Sequence, residues 1–299
     1  MNTVVATQLS PTIQELNLEK YVLELEVDGL TVVPPEVHGV PMERFDAMVN
    51  LLLTRAEEMV GCAFSLDKGP RSDVVFPADA NTLAAMSGEH GEPSQFLIQR
   101  LASYHRVFRD LAINPIAVAL IRHMVGERAT RFSSHNSFVK WQGDFGYGKG
   151  LGLHADQTAM PLPWGRRALT ANANWCLTDY TRQGGAFAWV PGSHKQGTRP
   201  VQPRASEQAV PVEAPKGSLL VFHGATWHGA YPRLIPGMRL SIANYYRHAM
   251  VTSQEDIKGS FDQALSEDCD DPALFRALAG FGDEFPYSEP NQPVPSALQ

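Results

Sequence analysis

His154-Ala155-Asp156 sets an imidazole and a carboxylate one residue apart, inside the glycine-rich run GYGKGLGLHADQT at 146–158. On a strand or at a strand end, side chains at i and i+2 point the same way. Both groups then aim at one spot. A mixed nitrogen and oxygen pair suits a first-row metal such as Fe(II) better than the all-thiolate set of a structural zinc site. Ten histidines in the chain also make one His-x-Asp what chance supplies, and an exposed polar strand end is the competing reading. What separates the two is the company the motif keeps.

That company lies in residues 217–239, GSLLVFHGATWHGAYPRLIPGMR. The strand-like SLLVF leads to a loop with His228, and Pro232 and Pro236-Gly237 turn the chain into a second strand, MRLSIANYY. There Arg239, Ser241, Ala243 and Tyr245 share one face, and Leu240, Ile242 and Tyr246 the other. Arg and Ser on a face with apolar neighbours suit the inside of a barrel that takes a small anion, gripped by the planar guanidinium with the hydroxyl as a further donor. A surface salt bridge is the alternative for Arg239. Two histidines and one carboxylate on one side of an ion leave three positions open, the arrangement of non-heme Fe(II) oxygenases. His223 is a rival to His228 as a ligand. His194, after Pro191-Gly192-Ser193, reads as a turn stabiliser, and His105, His123 and His135 as helix-face or loop residues.

With VDGLTVVP near residue 30, HADQT, NWCLTDYTRQGGAFAWVPGSHK and the His228 to Arg239 segment in place, the chain resembles the phytanoyl-CoA dioxygenase family of Fe(II)/2-oxoglutarate oxygenases. The resemblance runs over about residues 28–246. It implies a double-stranded β-helix (a cupin-like jelly roll) with buttressing helices. It implies His154, Asp156 and His228 as metal ligands, and Arg239 with Ser241 as the anchor for 2-oxoglutarate. Trp175 and Asn136 resemble positions that line the cosubstrate pocket; for Trp175, which shares a face with Ala171 and Ala173, core packing is the other reading. The implied activity is oxidation, typically hydroxylation, of an unactivated C–H bond in a small organic molecule such as a secondary metabolite. Dioxygen is consumed and succinate and CO2 are released. Related halogenases carry a small residue at the carboxylate position, so Asp156 argues for oxygen transfer. Desaturation, epimerisation or cyclisation on the same fold is the alternative chemistry, and a non-catalytic cupin-like binder the alternative class.

The elements that must position these groups follow from periodicity. Residues 12–20 begin to look helical, and 21–33 read as strand, Asp28-Gly29 turn and strand. Met42–Val60 has helical apolar spacing. Residues 65–93 read as loop or insertion, and 94–125 as helix broken at Asn114-Pro115, with Pro first and Gly126 last in the second piece. Short strands are expected at 130–141, 151–157, 169–177, 186–190, 218–223 and 238–246, and a short helix at 272–278 before a proline-rich tail. Helices early and strands late define an α+β chain with a mainly β core. We expect one domain over 1–299, with its core at about 21–250 and an extension at 251–299. The irregular segments 65–93 and 249–286 are expected to set the substrate, having the profile of lids and binding loops. Phe138, Trp141, Phe145, Tyr147, Trp164, Trp227 and Tyr231 are read as core and loop anchors, or as walls of an apolar substrate pocket. Lys140, Lys149, Arg166 and Arg167 are solvated loop charges or contacts for an acidic substrate.

Composition narrows the classes. The 299 residues are 43% hydrophobic and 19% charged, ordinary for a globular protein. A net charge of −7 argues against nucleic acid and anionic membrane as partners, since both require a basic footprint. Three scattered cysteines without a Cys-x-x-Cys form no disulfide framework. No window approaches the roughly 18 apolar residues of a membrane span, and a cytoplasmic location is expected.

Overall fold

A computed structural model describes residues 10–74, 94–143 and 150–282; Phe145, Tyr147, Lys149, most of 65–93 and the proline-rich tail fall outside them. In chain order come helices α1 (Pro11–Glu15) and α2 (Glu19–Asp28), strand β1 (Leu30–Val33), and helices α3 (Pro35–His38) and α4 (Met42–Val60). Strands β2 (Phe64–Ser65), β3 (Gly69–Pro70) and β4 (Gln95–Ile98) precede helices α5 (Leu101–Tyr104), α6 (Arg106–Ala112) and α7 (Pro115–Val125). Then follow β5 (Thr130–Gly143), β6 (Thr170–Cys176), β7 (Phe187–Trp189), α8 (Arg204–Gln208), β8 (Val210–Val212), β9 (Leu219–His223), β10 (His228–Ala230) and β11 (Arg233–His248). Helices α9 (Ile257–Ser260), α10 (Gln263–Glu267) and α11 (Pro272–Ala279) close the described chain.

The strands form a six-stranded antiparallel sheet, β1-β9-β6-β11-β5-β4, and a smaller sheet, β10-β7-β8. One face of the large sheet sends Val139, Trp175, Leu219, Val221, Leu240, Ile242 and Tyr246 into a core shared with α4 and α7. The other face turns toward the small sheet, where Leu220, Phe222 and Phe187 cluster. This is the mixed α and β architecture with a large antiparallel core that the sequence leads one to expect.

The helices form where apolar residues recur every third or fourth position. In α4, Phe45, Met48, Val49, Leu52, Ala56 and Val60 are buried, one stripe laid on the sheet. Asn114 caps α7 by accepting from the amides of Ile116 and Ala117, both 3.1 Å away, as a good N-cap does.

Three expectations are corrected. Residues 21–28 form a helix, not a strand: Tyr21, Val22 and Leu25 are buried together while Leu23 and Val27 are 63% and 49% exposed. The alternation of Leu23, Leu25 and Val27 with acids imitates a strand, yet the packed residues follow the helical period. The Asp28-Gly29 pair ends that helix: Gly29 has φ +85° and its amide donates to the Leu25 carbonyl, a left-handed cap. Residues 95–98 in turn form an edge strand instead of opening a helix, with Gln95 opposite Lys140 and Ile98 opposite Ser137.

Residues 151–157 are not a continuous strand either. His154 makes a single bridge and a 3-10 turn, Asp156–Ala159, follows at once. Cys62, Cys176 and Cys269 are free and buried. Among the described residues no helix is long and apolar enough to cross a membrane.

Candidate active site

His154 and His228, remote in sequence, meet because their main chains pair. Each amide donates to the other residue's carbonyl at 2.8 Å, a hydrogen-bonded antiparallel pair that sets the ring centroids 4.3 Å apart. The pairing depends on glycine next door: a Cβ on Gly229 would lie 2.1 Å from the Leu151 carbonyl oxygen. Each ring then places its Nδ1 2.9 Å from the carbonyl two residues back, Gly152 for His154 and Thr226 for His228. A carbonyl only accepts, so Nδ1 carries the proton and Nε2 presents its lone pair.

Asp156 completes the cluster. Its Oδ1 lies 3.5 Å from His154 Nε2 and 3.7 Å from His228 Nε2, and the three ligand atoms lie within 4.8 Å of one another. Two imidazole nitrogens and a carboxylate oxygen, with the remaining sides open to a cavity, fit a first-row metal that keeps exchangeable positions and takes the place of any proton on Nε2. Burial pushes the His228 imidazole down to about 4, with Asp156 opposing, so that ring is neutral at ordinary pH. For His154, desolvation on its cavity side works downward, but Asp156, by its charge and by accepting from Nε2 when the ring is protonated, leaves the pKa above the ordinary value. Burial likewise works against the Asp156 carboxylate, yet the His228 and His154 rings and the Asn172 amide together hold its pKa below the usual range.

The cavity behind the cluster has a volume of about 270 Å3 and lies between the two sheets. A larger one, about 570 Å3, lies on the helical side. There Asp110 and Asp270 are already paired with Arg44 and Arg106, so size does not mark the site.

The pleat of the large sheet furnishes the cavity wall in rows. Ser241 stands opposite Phe138 and Cys176, Ala243 between Asn136 and Asn174, and Tyr245 between Ser134 and Asn172. Arg239, Ser241, Ala243 and Tyr245 all line the cavity, the face assigned from alternation. Arg239 is 4% exposed; its Nη1 donates to the Gly185 carbonyl at 3.1 Å, its guanidinium sits 5.2 Å over the Tyr180 ring, and its Nε has no partner. Among the described residues no carboxylate lies within 4 Å of it. An unneutralised, partly unfilled guanidinium in a cavity suits an incoming carboxylate.

Other assignments are sorted by the same geometry. Trp175 does not reach the cavity. It is fully buried on the helix side, edge-on to His38 at 5.0 Å, because it has the pleat parity of Ala171 and Ala173. Asn136 does line the cavity. With its amide nitrogen turned toward the Glu255 carboxylate, which can only accept, Nδ2 and Oε1 are 3.1 Å apart, so that donor is already used. His223 is no ligand: Nε2 lies 3.2 Å from the Arg166 carbonyl and Nδ1 accepts from the Ala225 amide. His194 lies in a 3-10 turn, Ser193–Gln196. Lys140 is no solvated charge; it is buried and donates to the Tyr231 carbonyl at 2.5 Å. Phe138 lines the cavity, whereas Trp164 and Trp227 pack in a separate cluster and Trp141 packs with Phe64 and Phe96.

Sequence reasoning did not single out Asn172, Asn174, Tyr180, Phe187, Phe222 or Gln254, all of which line the cavity. The signal for the two asparagines was in TANANWC, where amides alternate with alanines on an otherwise apolar strand. Gln254 is placed by a bulge. Tyr245 pairs with Ser134 and Tyr246 with Phe132, leaving Ser133 extra, and its carbonyl accepts from the Glu255 amide and the Ser253 hydroxyl, each at 2.9 Å.

Residues 75–240 match the phytanoyl-CoA dioxygenase (PhyH) family, more than half of the chain, and the chain belongs to that family. A protein of Aspergillus fumigatus named Dioxygenase af480 is 32% identical over 135 residues, which covers 44% of this chain and 41% of that protein. The matched part thus spans about two fifths of that relative's length. Among solved structures, the epimerase SnoN in complex with Fe3+, alpha ketoglutarate and nogalamycin RO aligns with a TM-score of 0.55 at 17% identity, covering 85% of this chain and 90% of that one. HygX from Streptomyces hygroscopicus with nickel, 2-oxoglutarate and hygromycin B aligns at 0.54 and 18%, covering 79% and 89%. At such identities the likeness establishes a common fold.

Proposed function

We propose that this protein is an Fe(II)- and 2-oxoglutarate-dependent dioxygenase that oxidises a C–H bond of a small organic molecule. One observation carries the reading: two imidazole Nε2 atoms and a carboxylate oxygen converge at one end of a cavity whose other wall holds a guanidinium that no carboxylate among the described residues neutralises. His154, Asp156 and His228 would hold the metal, and Arg239 with Ser241 the far carboxylate of 2-oxoglutarate. Iron bound with 2-oxoglutarate and dioxygen supplies the oxidising power that an unactivated C–H bond requires.

The chain's own residues do the rest. Carbonyls of Gly152 and Thr226 keep both rings in the tautomer that offers Nε2. Phe187, stacked on His228 at 5.2 Å, and Phe222, 4.8 Å from it, make a dry wall. His154 stands at the mouth with its side chain 55% exposed, so the substrate enters past it. Beyond Arg239 and the ligand trio, the described lining is uncharged, with amides and hydroxyls of Ser134, Asn136, Asn172, Asn174 and Gln254 among apolar groups. A neutral oxygenated metabolite suits it better than a highly charged thioester.

Hydroxylation is the leading outcome. Epimerisation is the second reading, since SnoN, with the same fold, is described as an epimerase. The test is iron-dependent conversion of 2-oxoglutarate to succinate, coupled to a mass-spectrometric screen of metabolites. A product heavier by one oxygen indicates hydroxylation, and a product of unchanged mass epimerisation. Folded protein that binds metal yet forms no succinate under any condition would leave the non-catalytic binder.

A further inference from the structure

Asp156 has a second oxygen with a partner of its own. While Oδ1 faces the two imidazoles, Oδ2 lies 2.5 Å from Asn172 Nδ2. A carboxylate oxygen accepts, so the amide must donate, and its orientation is fixed without further assumption. Asn172 is 6% exposed and sits within β6, hydrogen-bonded to strands on both sides, opposite Phe222 and Tyr245. Asp156, by contrast, opens one turn of 3-10 helix in a connecting segment. The Tyr245 hydroxyl lies 3.4 Å from the Asp156 main-chain carbonyl, so one cross-strand pair touches Asp156 at both ends.

A free carboxylate beside a cation can turn about its terminal bond and present both oxygens. With Oδ2 engaged by a donor on the sheet, only Oδ1 is available to the space between the imidazoles. A buried amide would be costly unless paired, and Asp156 is the partner it finds.

We propose that Asn172 is a positioning residue for the metal-binding carboxylate, holding Asp156 in single-oxygen ligation so that the remaining positions stay free for cosubstrate and dioxygen. The proposal rests on the function proposed above. Asn172 acts on the ligand and not on the reacting atoms.

The experiment is titration of metal-free wild type, Asn172→Leu and Asn172→Ala with cobalt(II), followed by visible absorption, with the thermal midpoint of each apo-protein measured in parallel. Leucine keeps the volume without the donor, and alanine removes both. The expected result is cobalt binding 10–100-fold weaker in both variants, the usual effect of losing a group that orients a metal ligand. A changed cobalt spectrum is expected as the carboxylate begins to chelate, with Asn172→Leu melting close to wild type. Unchanged affinity with an unchanged spectrum overturns the proposal, as does affinity lost only in proportion to a collapse of the apo fold in both variants. Wild type that binds no cobalt overturns the dioxygenase reading itself, so the two failures are told apart.

Discussion

Arg233 and Arg239 both lie buried on β11, and their hydrogen bonds differ. Arg233 donates to the carbonyls of Gly237, Gly184 and Pro236 and pins the irregularity between Arg233 and Met238 within that strand. Arg239 spends one donor on Gly185 and leaves Nε without a partner. Arg239→Met is therefore expected to weaken 2-oxoglutarate binding by about 2–5 kcal/mol, the range for truncating one partner of a buried charge pair. Cobalt affinity should stay as in wild type; calorimetry with the cobalt-loaded protein reads both. His228→Ala is expected to abolish metal-dependent succinate formation, while circular dichroism remains that of the folded chain. The candidate ligands were legible from the His-x-Asp spacing only together with the family resemblance, and the cavity face of β11 from strand alternation. Of the two readings of Trp175, pocket lining by resemblance and core packing by its face, parity decides for the core: Asn174 lines the cavity and Trp175 packs on the helix side.

At the scale of elements, what brings the site together is the bridge between the loop that carries His154 and strand β10. A sequence cannot display that pairing, since it joins distant segments through main-chain atoms alone. It can display the glycine. Gly229→Ala is expected to force the two segments apart at a cost of about 1–3 kcal/mol, typical of overpacking a close contact. Metal affinity should fall further than that stability loss explains; cobalt titration beside urea denaturation makes the comparison. Helices α4 and α7 were readable from their stripes and caps. Short elements were not. Residues 21–28 contain both periods, and packing against α7 and β9 decides for the helix. Residues 95–98 are too few to show a period, and the open edge of β5 recruits them.

For the molecule as a whole, the buried histidines outside the candidate metal site, His38, His135, His194 and His223, all have pKa values lowered by burial and lower its stability in acid. His135 is fully buried with neither ring nitrogen paired, and burial pushes its pKa down to about 3. Burial, with the nearby His194, pushes His223 down to about 4. In the unfolded chain both bind a proton near pH 6.5. The unfolded state thus holds more protons below that pH, so stability present above about 6.5 is lost as the pH falls toward 4 and then 3. Urea midpoints at pH 7 and pH 5 should show this loss, and His135→Leu should shrink the gap between them; an undiminished gap would contradict the assignment.

The proposed function requires one placement: metal at the His154–Asp156–His228 corner and a keto-diacid stretched from there to Arg239. Its most direct test is an anaerobic crystal structure with Fe(II) and 2-oxoglutarate, using anomalous scattering at the iron edge. The account predicts one strong peak bonded to His154 Nε2, His228 Nε2 and a single oxygen of Asp156, with the far carboxylate of 2-oxoglutarate on the Arg239 guanidinium. A peak elsewhere, or the diacid bound away from Arg239, would contradict it.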